Sequence, residues 1–264
     1  MAAIALFGVA VWCEHSPAPA WANDTSADAK GLAIAREALD RRSGFGSFAA
    51  RQTMVLRNKN GRESRRDLRV SVLEVTGEGD RSLFLFDEPR DVRGTAFLVH
   101  AHKDRPDDQW LYLPALKRVK RISASNRSAS FMGSEFSYED MTPPVIERFT
   151  YRYLREERCG DLTCTVVEFV PVDERSAYSR QLVWHDKDEF RPWKVEYYDR
   201  KGALLKTMTV REYEKFEGRY WHAVETAMVN HLTGKSTIAI WTDNRFGVTV
   251  DEGSFTQARL RRAH

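Results

Sequence analysis

Short stretches of alternating apolar and polar residues recur from about residue 48 to residue 241, and this pattern constrains the fold more than any other feature of the 264-residue chain. In residues 68–72, Leu-Arg-Val-Ser-Val, every second side chain is apolar, which is the period of a β-strand with one buried face. Met54 and Leu56 have the same spacing, and Asn60-Gly61 between the two stretches is typical of a β-hairpin. Strand character returns in residues 83–86, 95–99, 110–113, 148–154, 163–170, 179–184, 192–198, 204–211, 219–224 and 237–241. Turn residues at short spacing separate these stretches, so we predict a single, mostly β domain built as an antiparallel meander.

A short helix is predicted before the first strand. In residues 31–42, Leu32, Ala35 and Leu39 fall on one helical stripe, and Gly44 follows as a stop. We expect residues 23–30 to form a flexible leader and residues 31–264 to form the domain.

The N-terminus resembles a secretory signal peptide. Residues 2–12 are apolar but too few to cross a bilayer, and Ala20-Trp21-Ala22 fits a cleavage site, which predicts a signal peptide over residues 1–22. The positively charged residues that usually begin a signal peptide are missing. Either translation starts upstream of Met1, or the prediction of a signal peptide is wrong. Lipidation of Cys13 is disfavoured because the bulky Trp12 precedes it.

Charge and cysteine usage narrow the class of protein further. The formal net charge of +3 is too small to indicate a nucleic-acid-binding protein. In an oxidising compartment, Cys159 and Cys164 predict a disulfide across a turn at Gly160-Asp161, in preference to a metal or redox site, which would normally bring further ligands. A loop this short is expected to contribute less than about 3 kcal/mol.

Several strands are apolar on both faces, as in residues 83–86, Leu-Phe-Leu-Phe. Strands of a sheet with one solvent-exposed face should alternate regularly between apolar and polar residues. We therefore expect other parts of the protein, or a ligand, to pack on both faces of this sheet. The short helix covers only part of one face. The remainder either curls into an incomplete barrel or leaves an apolar cavity that a ligand fills, although an ordinary core would also account for the seven tryptophans.

A basic cluster occupies residues 117–122, Lys-Arg-Val-Lys-Arg-Ile. As a strand, it would carry charge on both faces. One interpretation is a solvated edge strand that discourages aggregation. The other is a docking patch for lipid head groups, membrane phosphates or an acidic transporter domain. The patch would comprise Lys117, Arg118, Lys120, Arg121 and Arg127.

Residues 123–141 are rich in Ser and Gly, with Phe131, Phe136 and Tyr138 among them. Loops of this length are usually functional or disordered, and aromatic residues argue against disorder. We therefore predict a lid, made flexible by Gly133, that packs over a cavity mouth. Three acidic residues would pair with the nearby Lys and Arg side chains; these are Glu135, Glu139 and Asp140. The alternative is an ordered loop without motion.

The sequence gives little support for a catalytic function. It contains no G-x-S-x-G, P-loop or G-x-G-x-x-G motif. His100 and His102, followed by Asp104, Asp107 and Asp108, resemble a metal site, but a strand end that leads into an acidic turn explains them better, because a chelate needs a third ligand arranged by the fold. We predict no cofactor, no metal and no enzymatic activity.

Three motifs give the chain a family resemblance. Residues 110–114 (WLYLP), 117–122 (KRVKRI) and 131–140 (FMGSEFSYED) resemble the signature of LolA-like outer-membrane lipoprotein-sorting proteins. The resemblance implies a curved antiparallel sheet that forms an incomplete, half β-barrel with an N-terminal helix and a lid segment. It also implies an acyl-chain cavity, and the residues that would form the cavity or lid are Trp110, Tyr112, Phe131, Met132, Gly133, Phe136 and Tyr138.

The resemblance further implies a monomeric periplasmic carrier that moves free lipid or lipoprotein acyl chains from an inner-membrane transporter to an outer-membrane acceptor, in some cases beside an RND-type transporter. No nucleic-acid partner is expected. One rival function is a periplasmic sensor that binds a membrane protein partner. Another is a secreted lipid hydrolase.

Overall fold

The computed structural model describes residues 24–262, so the predicted signal peptide lies outside the described residues. This part of the chain contains one α-helix, α1, over Asp24–Asp40, and a 13-stranded sheet. The strands are β1 (Ser47–Arg57), β2 (Glu63–Leu73), β3 (Arg81–Glu88), β4 (Ala96–His100), β5 (Asp108–Leu113), β6 (Arg118–Arg121), β7 (Phe149–Cys159), β8 (Leu162–Pro171), β9 (Tyr178–Asp186), β10 (Pro192–Asp199), β11 (Leu204–Phe216), β12 (Tyr220–Asn230) and β13 (Ser236–Phe246). Short 3-10 helices cover Pro114–Leu116, Ala124–Asn126, Ile146–Arg148, Glu252–Ser254 and Leu260–Arg262. The predicted meander is confirmed.

The sheet is antiparallel throughout, and its order is β6-β5-β4-β3-β2-β1-β13-β12-β11-β10-β9-β8-β7. All connections between consecutive strands join neighbours, except the one from β6 to β7. Those two strands form opposite edges of the sheet, although they follow each other in the chain. Residues 122–148, which we term the crossing segment, must therefore pass from one edge of the sheet to the other.

The compactness of this connection indicates a curved sheet. Neighbouring strands lie about 4.8 Å apart, so a flat sheet of 13 strands would be roughly 58 Å wide. The crossing segment is compact, with short 3-10 turns, and it reaches both edges because the sheet curls around it. Arg148, just before β7, donates from Nε to the carbonyl oxygen of His102, just before β5, at 2.9 Å. The sheet is therefore an open half-barrel, as the family resemblance implied.

The main core lies on the concave face. It combines side chains from both halves of the sheet, such as Met54, Phe84 and Met228, with Phe131 of the crossing segment. Helix α1 covers the same face beside β7 and β8, where Ile34 and Ala35 pack on Tyr151. The concave face is thus covered by α1 at one side and by the crossing segment at the other.

The convex face is also partly covered, which explains the strands that are apolar on both faces. In β3, Phe84 points into the concave core, and Leu83 packs on the opposite face with Phe255 and Leu260. Phe255 and Leu260 belong to the C-terminal turns that follow β13. The sequence predicted that both faces of this strand are covered, but it did not identify the C-terminal turns as the convex cover.

Helix α1 begins at Asp24 rather than at Gly31, so residues 24–30 are helical and do not form the expected flexible leader. The tertiary contact with β7 explains the difference. A Cβ atom at Gly31 would lie 2.6 Å from the backbone nitrogen of Tyr153, so glycine allows the helix to approach the strand closely. No helix within residues 24–262 is long and apolar enough to span a bilayer.

Cys159 and Cys164 form a disulfide, as predicted, across the tight hairpin between β7 and β8. Cys164 is fully buried on the convex face beside Val166, Leu182 and Trp184. The bond therefore ties an edge strand, which has a neighbour on one side only, to the interior of the sheet.

Removing this bond should lower stability modestly. We expect the variant with both Cys159→Ala and Cys164→Ala to lose about 2 kcal/mol of unfolding free energy, because the bond closes only a short loop in the unfolded chain. Urea denaturation would measure the loss. Wild type treated with reductant is the matched control and should fall to the level of the variant; if reductant leaves its midpoint unchanged, the bond contributes no stability.

Candidate functional site

A cavity of about 840 Å³ lies on the concave face between α1, the crossing segment and the strands β1 to β3 and β10 to β13. Its wall is mainly apolar and includes Met54, Met208 and Trp241. The floor includes Phe136 and Met141 of the crossing segment. Pockets that hold small ligands commonly have this size and this mixture of apolar walls with few polar groups.

The cavity opens at the end of the sheet where the turn between β11 and β12 and the end of α1 meet. Exposed side chains of Arg42 and Arg219 belong to its lining there. Aromatic rings surround the entrance, and the ring of Phe48 lies 4.8 Å from that of Phe246 and 4.9 Å from that of His222. The entrance therefore combines aromatic surface with positive charge.

Hydrogen bonds hold the crossing segment in a hairpin. Phe131 donates its backbone N–H to the carbonyl oxygen of Phe136 at 2.7 Å, and Tyr138 donates to that of Ala129 at 3.1 Å. The tight turn between them uses φ angles of 51° at Met132 and 83° at Gly133. A residue other than glycine at position 133 would be strained in this conformation. The hairpin is thus a packed element of the concave core.

A buried ion pair anchors the crossing segment to β11. Lys206 of β11 donates from Nζ to Oδ2 of Asp140, and the two side chains are each 4% exposed. The same carboxylate accepts the hydroxyl of Tyr178 at 2.7 Å and the backbone N–H of Ser137 at 2.6 Å. Burial and the charge of Asp140 raise the pKa of Tyr178, so its hydroxyl remains a donor.

The other two acidic residues of the segment also bind partners within the fold. Glu139 accepts hydrogen bonds from Ser176 Oγ at 2.5 Å and from the backbone N–H of Ala177 at 3.0 Å, and burial raises its pKa. Glu135 accepts from Asn230 Nδ2 at 2.8 Å. We expected these acids to pair with the nearby basic cluster. Their partners come instead from β11, β12 and the connection before β9.

Arg127 was predicted to be part of the docking patch, but it lies in the crossing segment and its side chain is buried inside the protein. It is 5% exposed and forms ion pairs with Asp173 and, at 3.7 Å, with Asp107. Asp107 also pairs with Arg148, and burial raises the pKa of Asp107 against the effect of these arginines. This network joins the two edges of the sheet.

The structure distributes the predicted cavity and lid residues among four environments, which are the cavity wall, the concave core, the exposed surface and the convex face. Phe136 lines the cavity. Phe131 is fully buried in the concave core, with its ring 5.2 Å from that of Phe97 and 5.6 Å from that of Tyr138. Met132 packs on the edge of this core, and Gly133 is exposed. Whether the segment moves stays a prediction.

Trp110 and Tyr112 lie on the convex face, under the C-terminal turns, and do not line the cavity. Successive side chains of β5 alternate between the faces, so Leu111 takes the concave position between them. Sequence similarity places these residues in the signature but does not distinguish the two faces of the strand.

The basic cluster forms β6 and its preceding turn, at an open edge of the sheet. The side chains of Lys117, Arg118, Lys120 and Arg121 are exposed, and Arg121 pairs with Asp108. This is the placement expected of a charged edge strand. The role of the cluster in docking stays a prediction.

His100 and His102 each bind a protein partner. His100 Nε2 lies 2.8 Å from the carbonyl oxygen of Phe255, and His102 Nε2 lies 3.2 Å from Oδ2 of Asp108. Within residues 24–262, no cluster of three or more His, Cys, Asp or Glu side chains is arranged to hold a metal ion.

Asp80 is a cavity residue that the sequence analysis missed. It lies just before β3, and its Oδ1 accepts the backbone N–H of Val75 at 3.3 Å. Burial, with a contribution from the charge of Glu74, raises the pKa of Asp80 to about 6. An isolated aspartate in a turn carries no sequence pattern that would indicate this position.

Several known proteins are similar to this chain in sequence and fold. The chain matches a protein family described as "Uncharacterized protein" over residues 78–262. An outer membrane lipoprotein-sorting protein domain from Vibrio parahaemolyticus is 49% identical, with 89% of this chain and 100% of that chain covered and a TM-score of 0.87. A DUF1329 family protein from Desulfovibrio piger is 28% identical, with 89% and 99% covered and a TM-score of 0.85.

A LolA superfamily protein from Nitrosomonas europaea shares the fold at 22% identity, with 86% of this chain and 98% of that chain covered and a TM-score of 0.69. None of the curated proteins matches the chain.

Breaking the buried ion pair should destabilise the protein strongly. We expect Asp140→Asn to lower the unfolding free energy by about 3–5 kcal/mol, because it leaves the charge of Lys206 buried without its partner. Urea denaturation would measure this. The exposed pair between Arg211 and Glu225 is the matched control, and Glu225→Gln should cost less than about 1 kcal/mol. Equal losses from the two variants would contradict the anchoring role.

The raised pKa of Asp80 should make stability depend on pH. A carboxyl group whose folded pKa lies above its unfolded value contributes stability below the unfolded pKa, and the contribution is lost as pH rises through the folded pKa. Asp80→Asn should therefore gain stability relative to wild type as pH rises from about 4 to 7. Urea midpoints at several pH values would test this, and a constant difference across the range would refute it.

Proposed function

The chain belongs to the same family as the outer membrane lipoprotein-sorting protein domain from Vibrio parahaemolyticus, and we propose that it is a LolA-like carrier that holds acyl chains of a lipid or lipoprotein in its concave cavity. The observation that carries this proposal is the apolar cavity of about 840 Å³, which the core residues leave unfilled. An ordinary globular interior is close-packed and contains few voids larger than a water molecule.

The physics of the cavity suits reversible binding. Each methylene group moved from water into an apolar site contributes about 0.8 kcal/mol, so several buried methylenes give useful affinity. The entrance is exposed at Arg42 and Arg219, so part of a bound chain can stay accessible to an acceptor. A carrier needs this combination, since a chain that is fully enclosed would leave slowly.

The proposal includes a location and two kinds of partner. The relative from Vibrio parahaemolyticus carries the name of an outer membrane lipoprotein-sorting protein domain, and this name supports a periplasmic route. The disulfide between Cys159 and Cys164 suits an oxidising compartment. The carrier would receive its cargo from an inner-membrane transporter, an RND-type transporter being one candidate, and deliver it to an outer-membrane acceptor. The proposed role is binding and transfer without catalysis.

Native mass spectrometry with lipid extraction would test the carrier. Protein secreted to the periplasm and purified without detergent should show a discrete mass excess that extracts as lipid or acylated peptide. Ala223 lines the cavity, and Ala223→Trp should fill part of it and reduce this excess several-fold. Far-UV circular dichroism and the thermal midpoint would establish that the variant is folded.

Ala203 provides the matched control, because it lies exposed in the turn between β10 and β11. Ala203→Trp adds the same side chain outside the cavity and should retain the mass excess. If wild type has its bare mass even after incubation with vesicles of phosphatidylethanolamine and phosphatidylglycerol, the carrier proposal fails.

A further inference from the structure

Three cations at the cavity entrance have no carboxylate partner among the described residues. Arg42 follows α1, and Lys215 and Arg219 flank the turn between β11 and β12; all three line the cavity. Arg219 donates from Nη2 to the carbonyl oxygen of Ser43 at 3.4 Å. Since Ser43 directly follows Arg42 in the sequence, the guanidinium of Arg219 lies close to the backbone at Arg42. The ammonium of Lys215 lies 5.4 Å from the ring centroid of Trp221.

Neighbouring arginines of the same cavity are neutralised. Arg41 pairs with Glu37 at 2.7 Å and Glu189 at 3.1 Å, and Arg191 pairs with Asp186 at 2.8 Å. The contrast shows that carboxylates compensate some cations of this entrance and leave three others uncompensated. Positive charge of this kind, placed beside an apolar wall, raises the local concentration of anionic ligands.

The charge of Arg42 affects a side chain in the cavity wall as well as the entrance. Burial, together with the charge of Arg42, lowers the pKa of His222 to about 3. The guanidinium is therefore close enough to influence a side chain in the cavity wall. His222 is neutral at neutral pH, so it adds no charge of its own to the three cations.

Polar groups without a protein partner lie in the wall near the cations. They are Trp221 Nε1, His222 Nε2 and Gln52 Oε1, and each of these residues lines the cavity. Trp221 Nε1 can only donate, and its ring lies between Lys215 and Arg191, whose guanidinium is 4.3 Å from the centroid. Buried polar groups without partners are unfavourable, so a ligand that supplies oxygen atoms here would be stabilised.

We propose that the entrance is a head-group site for an anionic lipid, with the phosphate bound by Arg42, Lys215 and Arg219 and the acyl chains in the cavity. Arginine presents donors in a fork that matches phosphate oxygens, and lysine adds a point charge. The ester oxygens that join the head group to its chains would lie near Trp221 and His222. This inference rests on the proposed carrier function and assigns its cargo to phospholipids with an anionic head group.

Lipid uptake from vesicles tests the head-group site. Delipidated full-length protein is incubated with phosphatidylcholine vesicles that contain either phosphatidylglycerol or diacylglycerol with the same acyl chains, and the bound lipid is identified by native mass spectrometry. Wild type should favour phosphatidylglycerol by about tenfold, as three partly exposed ion pairs allow. The triple variant Arg42→Gln, Lys215→Gln, Arg219→Gln should take up both lipids equally.

The chain offers a control with the same net charge. Arg200, Lys201 and Lys235 are exposed in turns at the opposite end of the sheet, and their triple replacement by Gln should retain the preference of wild type. The thermal midpoint of each variant shows whether it is folded. Inorganic phosphate, added alone, should compete only weakly, since it lacks the acyl chains.

The outcomes separate the two proposals. Equal uptake of both lipids by wild type, or an unchanged preference in the entrance variant, would overturn the head-group site and leave the carrier intact. Tight binding of inorganic phosphate without any lipid preference would also overturn it. If no lipid is taken up from either vesicle, the carrier function fails, and the head-group site fails with it.

Discussion

The buried ion pair between Lys206 and Asp140 is the interaction on which the arrangement of the concave face depends. The edges of the sheet, β6 and β7, are consecutive in the chain, so the crossing segment has to pass over the concave face. Burying two charges is costly unless all their hydrogen-bonding capacity is used. Asp140 meets that condition through Lys206, Tyr178 and Ser137, which fixes the path of the segment and places Phe136 at the floor of the cavity.

Features determined by neighbouring residues could be predicted from the sequence. The alternation in β2, the hairpin at Asn60-Gly61 and the disulfide of Cys159 and Cys164 all depend on residues close together in the chain, and the structure confirms them. The apolar run of β3 correctly indicated cover on both faces, because no single-sided sheet would tolerate it. The family resemblance, carried by residues 110–140, then indicated the half-barrel.

Features that depend on distant residues could not be predicted. The partner of Asp140 is Lys206, which is remote in sequence, and nothing near either residue indicates the pair. Trp110 and Tyr112 face the C-terminal turns because Leu111 takes the concave position, and the choice of face depends on the register of the whole sheet. The entrance brings Arg42 together with Lys215 and Arg219 only because α1 ends above the turn between β11 and β12.

The packing of the crossing segment bears on how a ligand reaches the cavity. Phe131 is fully buried among the rings of Phe84, Phe86 and Phe97, so moving it would expose a large aromatic surface. The other end of the cavity is bordered by exposed side chains of Arg42 and Arg219. In the proposed carrier, exchange through that end would leave the concave core intact and would therefore require far less free energy. The cations of the entrance would then lie on the path of an entering lipid, and the charge of its head group would be the first property that the protein encounters.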